Sequence, residues 1–185
     1  RRRLPLTGTG HCMELSVAGY GCHVATGGQP FDPARSAWPP LVLIHGAAND
    51  CDAWHKVAGG LAAAGCALLV PDLPGHGLSG GEPLSSIEAL ADWLPSLLDS
   101  AGVTTAILVG HSMGSLVALD CAARHPQRVG GLALLGASAP MPVAEALLSS
   151  AATHPDRVLR MMNEFSLTAP FQLYGGGGHG VWGPA

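Results

Sequence analysis

An α/β architecture with a doubly wound, mostly parallel sheet is the fold class this sequence predicts. Four short apolar runs carry the prediction: Leu41-Val42-Leu43-Ile44, Ala67-Leu68-Leu69-Val70, Ala106-Ile107-Leu108-Val109 and Val129 to Leu135. Continuous runs of that length are the pattern of strands covered on both faces. Between them lie segments of helical spacing, and strands alternating with helices indicate βαβ units. The third observation is Gly110-His111-Ser112-Met113-Gly114, where one of the runs turns directly into a helical segment.

Taken in chain order, residues 13–27 alternate weakly and suggest a short antiparallel hairpin turned at Gly19-Tyr20-Gly21. Residues 28–40, rich in Gly, Pro and Ala, read as a loop. Asp52 to Ala64 has helical spacing, and Gly65 suits its C-terminal end. The strand at Ala67–Val70 stops at Pro71-Asp72. Ser85 or Ser86 can cap a helix that carries Ile87, Leu90, Trp93, Leu94, Leu97 and Leu98 on one side. Glu88, three residues after Ser85, would complete a capping box. The next helix runs from about Met113 to Arg124 and is stopped by His125-Pro126. After Pro140 the character changes: residues 143–152 and 155–166 look helical with no strand between them, and Gly175 to Gly178 is low-complexity. The chain is therefore expected to divide into residues 1–140, the N-terminal part of an α/β core, and 141–185, a partial helical lid with a Gly-rich tail.

Composition narrows the function classes. Hydrophobic residues make up 48% and charged residues 12% of 185 positions, which argues against disorder. A net charge of −4, with no basic stripe beyond Arg1-Arg2-Arg3, speaks against a nucleic-acid partner. No apolar run approaches the roughly 18 residues needed to span a bilayer. Five scattered cysteines suit reduced thiols and a cytoplasmic setting. The arginines are followed by a segment too polar and broken for a signal peptide, and no initiator Met is present. Histidines and cysteines lack metal-ligand spacing. Gly175–Gly178 lacks the strand, Lys-Ser/Thr and helix of a phosphate loop. No metal and no cofactor is expected.

The chemistry is expected at Ser112. A strand that bends sharply into a helix lifts the residue at the bend into an exposed, strained position, where a base can take its proton. Small residues two before and two after the serine are needed because bulkier ones would collide across the turn. With 26 glycines in the chain, chance copies of G-x-S-x-G are unremarkable, and a second one does occur at Gly77-Leu78-Ser79-Gly80-Gly81. No strand enters that copy directly and no helix leaves it, so Ser79 reads as a loop residue.

Four elements in one order resemble the α/β-hydrolase superfamily, in its lid-bearing serine hydrolase or esterase branch. They are the strand end Leu41-Val42-Leu43-Ile44-His45-Gly46, then Trp54, then Pro71-Asp72-Leu73-Pro74-Gly75-His76-Gly77, then Gly110-His111-Ser112-Met113-Gly114. The resemblance implies a sheet of the α/β-hydrolase type with a helical lid beginning after about residue 140. It implies Ser112 as the nucleophile and the backbone N–H groups of Ala47 and Met113 as the oxyanion donors, with His45, Gly46, Gly110, His111 and Gly114 supporting the motif. Its partner would be a small-molecule ester or related acyl substrate, largely apolar, as lid residues Leu147, Leu148, Met161, Met162 and Phe165 suggest, although core packing explains these equally.

In that superfamily the order is serine, acid, histidine, and here no strand followed by Asp is visible beyond residue 140. Each remaining candidate has a plainer reading. Asp72 suits turn hydrogen bonding. Asp120 lies about 12 Å further along the helix of Ser112. His111 flanks the serine but points away, His76 stabilises a loop, His125 ends a helix, and His179 sits on a glycine-rich segment. The expectation is a C-terminally truncated fragment whose acid and histidine lie beyond residue 185. Two alternatives stay open: a non-catalytic member of the fold, or a perhydrolase or carbon–carbon bond hydrolase that uses the same serine.

Overall fold

A computed structural model describes residues 11–151 and 153–166. Six strands form one sheet in the order β1-β2-β4-β3-β5-β6. They are β1 (Cys12–Val17), β2 (Tyr20–Ala25), β3 (Leu41–Ile44), β4 (Leu68–Pro71), β5 (Ala106–His111) and β6 (Val129–Leu135). β1, β2 and β4 pair antiparallel, while β4, β3, β5 and β6 run parallel. The helices are α1 (His55–Ala63), α2 (Ile87–Ser100), α3 (Met113–Arg124), α4 (Glu145–Ala151) and α5 (Pro155–Ser166).

Alternation along the central strands explains why both faces are covered. Val42 and Ile44 of β3 enter one apolar cluster with Leu69, Leu108, the buried side of α2 and Val117, Ala118 and Cys121 of α3. Leu43, between them, enters the other, with Trp54, Ala58, Ala62, Leu68 and Val70. Strand side chains point to opposite faces in turn, so a wholly apolar run demands a layer on each side. Leu43, Ile44, Leu69 and Leu108 are each 0% exposed. Full burial of one such side chain stabilises the fold by about 1.5–3 kcal/mol.

The chain leaves β3 through α1 to reach β4 on one side, then crosses back through α2 to β5 on the other. β3 and β5 are thus neighbours from which the connections diverge, in register from Leu41↔Ile107 to Ile44↔Gly110. In open parallel sheets such a switch point leaves a crevice outside the carboxyl ends of the two strands. Those ends are His45-Gly46 and His111-Ser112.

Three local expectations change. The hairpin turns at Ala18-Gly19, not Gly19–Gly21: Val17 pairs with Tyr20, and both turn residues have positive φ, 51° and 87°, the geometry that matches strand twist. The segment from Asp52 begins as a 3-10 turn, Cys51–Trp54, before α1 starts at His55. Gly65 (φ 86°) ends α1 as expected, with Cys66 N–H bonding the Leu61 carbonyl and Gly65 N–H that of Ala62. Of the two candidate serines it is Ser86 that caps α2, accepting from Ala89 N–H at 3.1 Å. Glu88 is then one residue short of the capping-box position. α3 and β6 lie where the sequence places them.

The chain divides between Gly136 and Ala137 into two compact units. In the second unit α4 and α5 pack on one another. Leu147 and Met162 are half-buried and Leu148 is exposed, while the side chains of Met161 and Phe165 lie outside the described residues. Among the described residues no helix is long and apolar enough to cross a membrane, and no group of three or more His, Cys, Asp or Glu could hold a metal ion.

Candidate functional site

Ser112 stands at the bend between β5 and α3 with φ 54° and ψ −120°. Positive φ in a residue with a Cβ costs of order 1–3 kcal/mol and survives only where its surroundings enforce it. Here they do. Ser112 N–H donates to the Leu135 carbonyl at the end of β6, 2.9 Å away. The Ser115 hydroxyl, fully buried, reaches the Gly110 carbonyl at 2.7 Å and the Leu135 carbonyl at 3.0 Å. Ser115 is a residue that sequence reasoning missed. Ser115→Ala leaves the Gly110 carbonyl short of its buried partner, and we expect denaturant unfolding to show a loss of about 1–3 kcal/mol.

Serine at a helix N-cap normally spends its hydroxyl on the N2 or N3 amide. Ser112 is the N-cap of α3 yet makes no side-chain capping bond, because its backbone conformation is not the extended one that capping needs. The flanking glycines are dictated by contact. A Cβ at Gly110 would overlap the Gly114 carbonyl and lie 2.5 Å from Ser115 N, and one at Gly114 would overlap the Ile44 carbonyl and lie 2.7 Å from the His45 carbonyl oxygen. Gly114 is therefore what lets α3 press against the end of β3. Gly46 completes the approach, since a Cβ there would sit 3.3 Å from Ser112 Cβ.

Two main-chain amides follow Ser112 and Gly46 directly in the chain. Met113 opens α3, so its N–H has no intrahelical acceptor and feels the positive end of the helix dipole. Ala47 follows Gly46 in a turn closed by Asn49 N–H to the Gly46 carbonyl (3.3 Å), with Ala48 at φ 58°.

His45 is wholly buried. Leu73 N–H donates to its Nε2 at 3.1 Å, so the ring proton sits on Nδ1 and points at the Gly46 carbonyl, 2.8 Å away. Burial pushes this imidazole below its ordinary value of 6.5, with the Gly46 bond opposing the shift and nearby His76 adding to it. The unfolded chain therefore takes up a proton before the folded one does. His45's contribution to stability is complete above about pH 6.5 and is lost as pH falls towards the folded value, at no more than about 1.4 kcal/mol per pH unit. Denaturant midpoints measured from pH 8 to pH 5 should fall in the native chain and fall less in His45→Asn.

The other candidates are occupied elsewhere. Asp72, 1% exposed, accepts Cys51 N–H on Oδ1 and Leu78 N–H on Oδ2, each at 2.7 Å. It ties two loops together, and the glycine of the second motif serves it, because a Cβ at Gly77 would overlap its carboxylate. Ser79 donates to the Asp72 carbonyl (2.7 Å) and accepts His23 N–H (2.9 Å), so it is a brace within a loop. His76 Nδ1 lies 3.0 Å from the Pro74 carbonyl. Asp120 pairs with Arg124 at 3.4 Å, and His125 with Asp92 at 2.7 Å. The His111 ring is exposed and passes beside Gly46 and Gly136. His179 lies outside the described residues. Ser112 and Gly46 thus lie against one another, and Met113 and Ala47 follow each of them directly in the chain.

Residues 39–174 match the family described as alpha/beta hydrolase fold. The chain belongs to that family. Among curated relatives, lipase LipV of Mycobacterium tuberculosis (strain ATCC 25618 / H37Rv) is 35% identical over 123 residues, 66% of this chain and 41% of its own length. Pimeloyl-[acyl-carrier protein] methyl ester esterase of Aromatoleum aromaticum (strain DSM 19018 / LMG 30748 / EbN1) is 42% identical over 103 residues, 54% of this chain and 38% of its own. The alpha/beta-hydrolase chain described here thus spans about two fifths of the length of these relatives. A solved structure titled Est816 as an N-acyl homoserine lactone degrading enzyme superposes with TM-score 0.71 at 22% identity, over 88% of this chain and 60% of that one, a likeness of fold.

Proposed function

We propose that this chain carries the nucleophile and oxyanion donors of a serine hydrolase acting on esters or related acyl compounds. The observation behind the proposal is the non-capping hydroxyl of Ser112, raised at φ 54° against Gly46 at the switch point of the sheet. In the proposed reaction Ser112 Oγ attacks the acyl carbon and its proton passes to a general base. The carbonyl oxygen takes up the negative charge, facing the Ala47 and Met113 amides. The C–O bond to the alcohol then breaks, the alcohol leaving with that proton. Water, deprotonated by the same base, then attacks the acyl carbon; the bond from that carbon to Ser112 Oγ breaks, the base returns the proton to Oγ, and the carboxylic acid is released. Preorganised donors of this kind act only where charge develops, which is why they accelerate the step. The base and its orienting acid are proposed to lie outside the described residues.

An ester as substrate is supported by what the relatives are called, a lipase and a methyl ester esterase. Small side chains at Ala47 and Ala48 leave room for the acyl group. The test is p-nitrophenyl ester hydrolysis by the full-length gene product across acyl lengths. A burst of p-nitrophenol equal to the protein concentration is the expected acyl-enzyme signature. No turnover at any acyl length would count against the proposal.

A further inference from the structure

We propose that His45 is a positioning residue: its Nδ1–H, by holding the Gly46 carbonyl, aims the Ala47 amide at the site of reaction. The inference rests on the oxyanion role proposed above for Ala47.

The Gly46 carbonyl and the Ala47 N–H belong to one planar trans peptide unit and point in opposite directions. Whatever fixes the first fixes the second. Two donors fix it: His45 Nδ1 at 2.8 Å and Asn49 N at 3.3 Å. The histidine contact is the shorter and comes from a side chain with no exposure to solvent. The following peptide unit is held too, since Asn49 Nδ2 donates to the Ala47 carbonyl at 3.2 Å. The amide direction is therefore set from the side of the loop away from the amide itself.

His45 can do this only as the Nδ1–H tautomer. With the proton on Nε2, the Gly46 carbonyl would lose its nearer donor, and Nε2–H would face Leu73 N–H, donor against donor. Leu73 N–H, 3.1 Å from Nε2, excludes that state. Leu73 is itself immobilised, being 0% exposed and following Asp72, whose carboxylate grips Cys51 and Leu78 amides. A line of bonds thus runs from Asp72 and Leu73 through the imidazole to the Ala47 amide. It gives Pro71-Asp72-Leu73-Pro74, which bears no reacting group, a bearing on catalysis.

Two substitutions separate the two nitrogens. In His45→Asn an amide N–H stands about where Nδ1 does, close enough for the Gly46 carbonyl but short of Leu73. In His45→Gln the longer side chain can accept from Leu73 N–H and leaves the Gly46 carbonyl without that donor. Each loses one tether, so both should unfold at lower temperature. Assayed below those transitions on p-nitrophenyl esters, Asn should keep kcat within about threefold of native, while Gln and Ala lose about 100-fold in kcat with KM little changed, approaching the loss of one oxyanion donor. Equal kcat in Asn and Gln, with native activity intact, overturns this inference alone. A native protein that neither hydrolyses esters nor reacts with a fluorophosphonate overturns the hydrolase reading and this one with it. Imidazole ¹⁵N shifts of the native protein need no variant to fold: a protonated Nδ1 and bare Nε2 on His45 are expected, and the reverse tautomer contradicts the proposal.

Discussion

Ser112→Ala is expected, on the proposed function, to eliminate ester turnover in the full-length protein, with kcat falling on the order of 10⁴ to 10⁶-fold, as when the nucleophile of a serine protease is removed. Substrate binding need not change, because the hydroxyl acts on the reacting carbon and not on the remainder of the substrate. Activity retained within tenfold would show that another group attacks. The backbone supplies a second readout. Alanine at 112 keeps a Cβ at φ 54° and so keeps the strain, whereas glycine relieves it. Ser112→Gly should therefore be as inactive as Ser112→Ala but more stable than it by about 1 kcal/mol or more. A serine in relaxed loop backbone would show no such gap, so the pair of variants separates a strained nucleophile from an ordinary polar residue.

Gly114→Ala is expected to destabilise the fold strongly. The added methyl meets the Ile44 and His45 carbonyls, backbone of a buried central strand, and no side chain can rotate away to admit it. Relief requires α3 to lift from β3, opening the apolar cluster that Val117, Ala118 and Cys121 share with Val42 and Ile44. A loss of about 3 kcal/mol or more is expected, a large part of the 5–15 kcal/mol typical of a domain. Gly59 and Gly60 are the internal contrast. Both lie within α1 with nothing within 4 Å of an added Cβ, so alanine there should stabilise by about 0.5–1 kcal/mol. Denaturant unfolding of the three variants checks the contrast. Equal effects would mean that the elbow is not closely packed.

The parallel core was legible because its code is local. Leu41–Ile44 and Ala106–Val109 are apolar without alternation, which only a two-sided layer explains, and His125-Pro126 ends α3 whatever surrounds it. The context that separates Ser112 from Ser79 was also local, a strand before and a helix after. Less local features stayed hidden. Ala18 at φ 51° carries no compositional mark of a turn, while Gly21 three residues on does. Adjacent serines at 85 and 86 left the helix cap ambiguous by one residue, and with it the partner of Glu88. The His45–Leu73 bond joins residues 28 apart, and Ser115 reaches a strand 20 residues downstream. Neither link has a sequence signal, because each exists only after the sheet has brought its strand ends together. Asp72 was legible as a turn former, but not as the anchor of Cys51 across the same crevice.

Fluorophosphonate labelling of the full-length protein, mapped by peptide mass spectrometry, bears on the central claim most directly. One adduct per chain on Ser112 is predicted, formed at a rate that Ser112→Ala abolishes and Ser79→Ala leaves unchanged. Label on Ser79, or none on a folded protein, would contradict it.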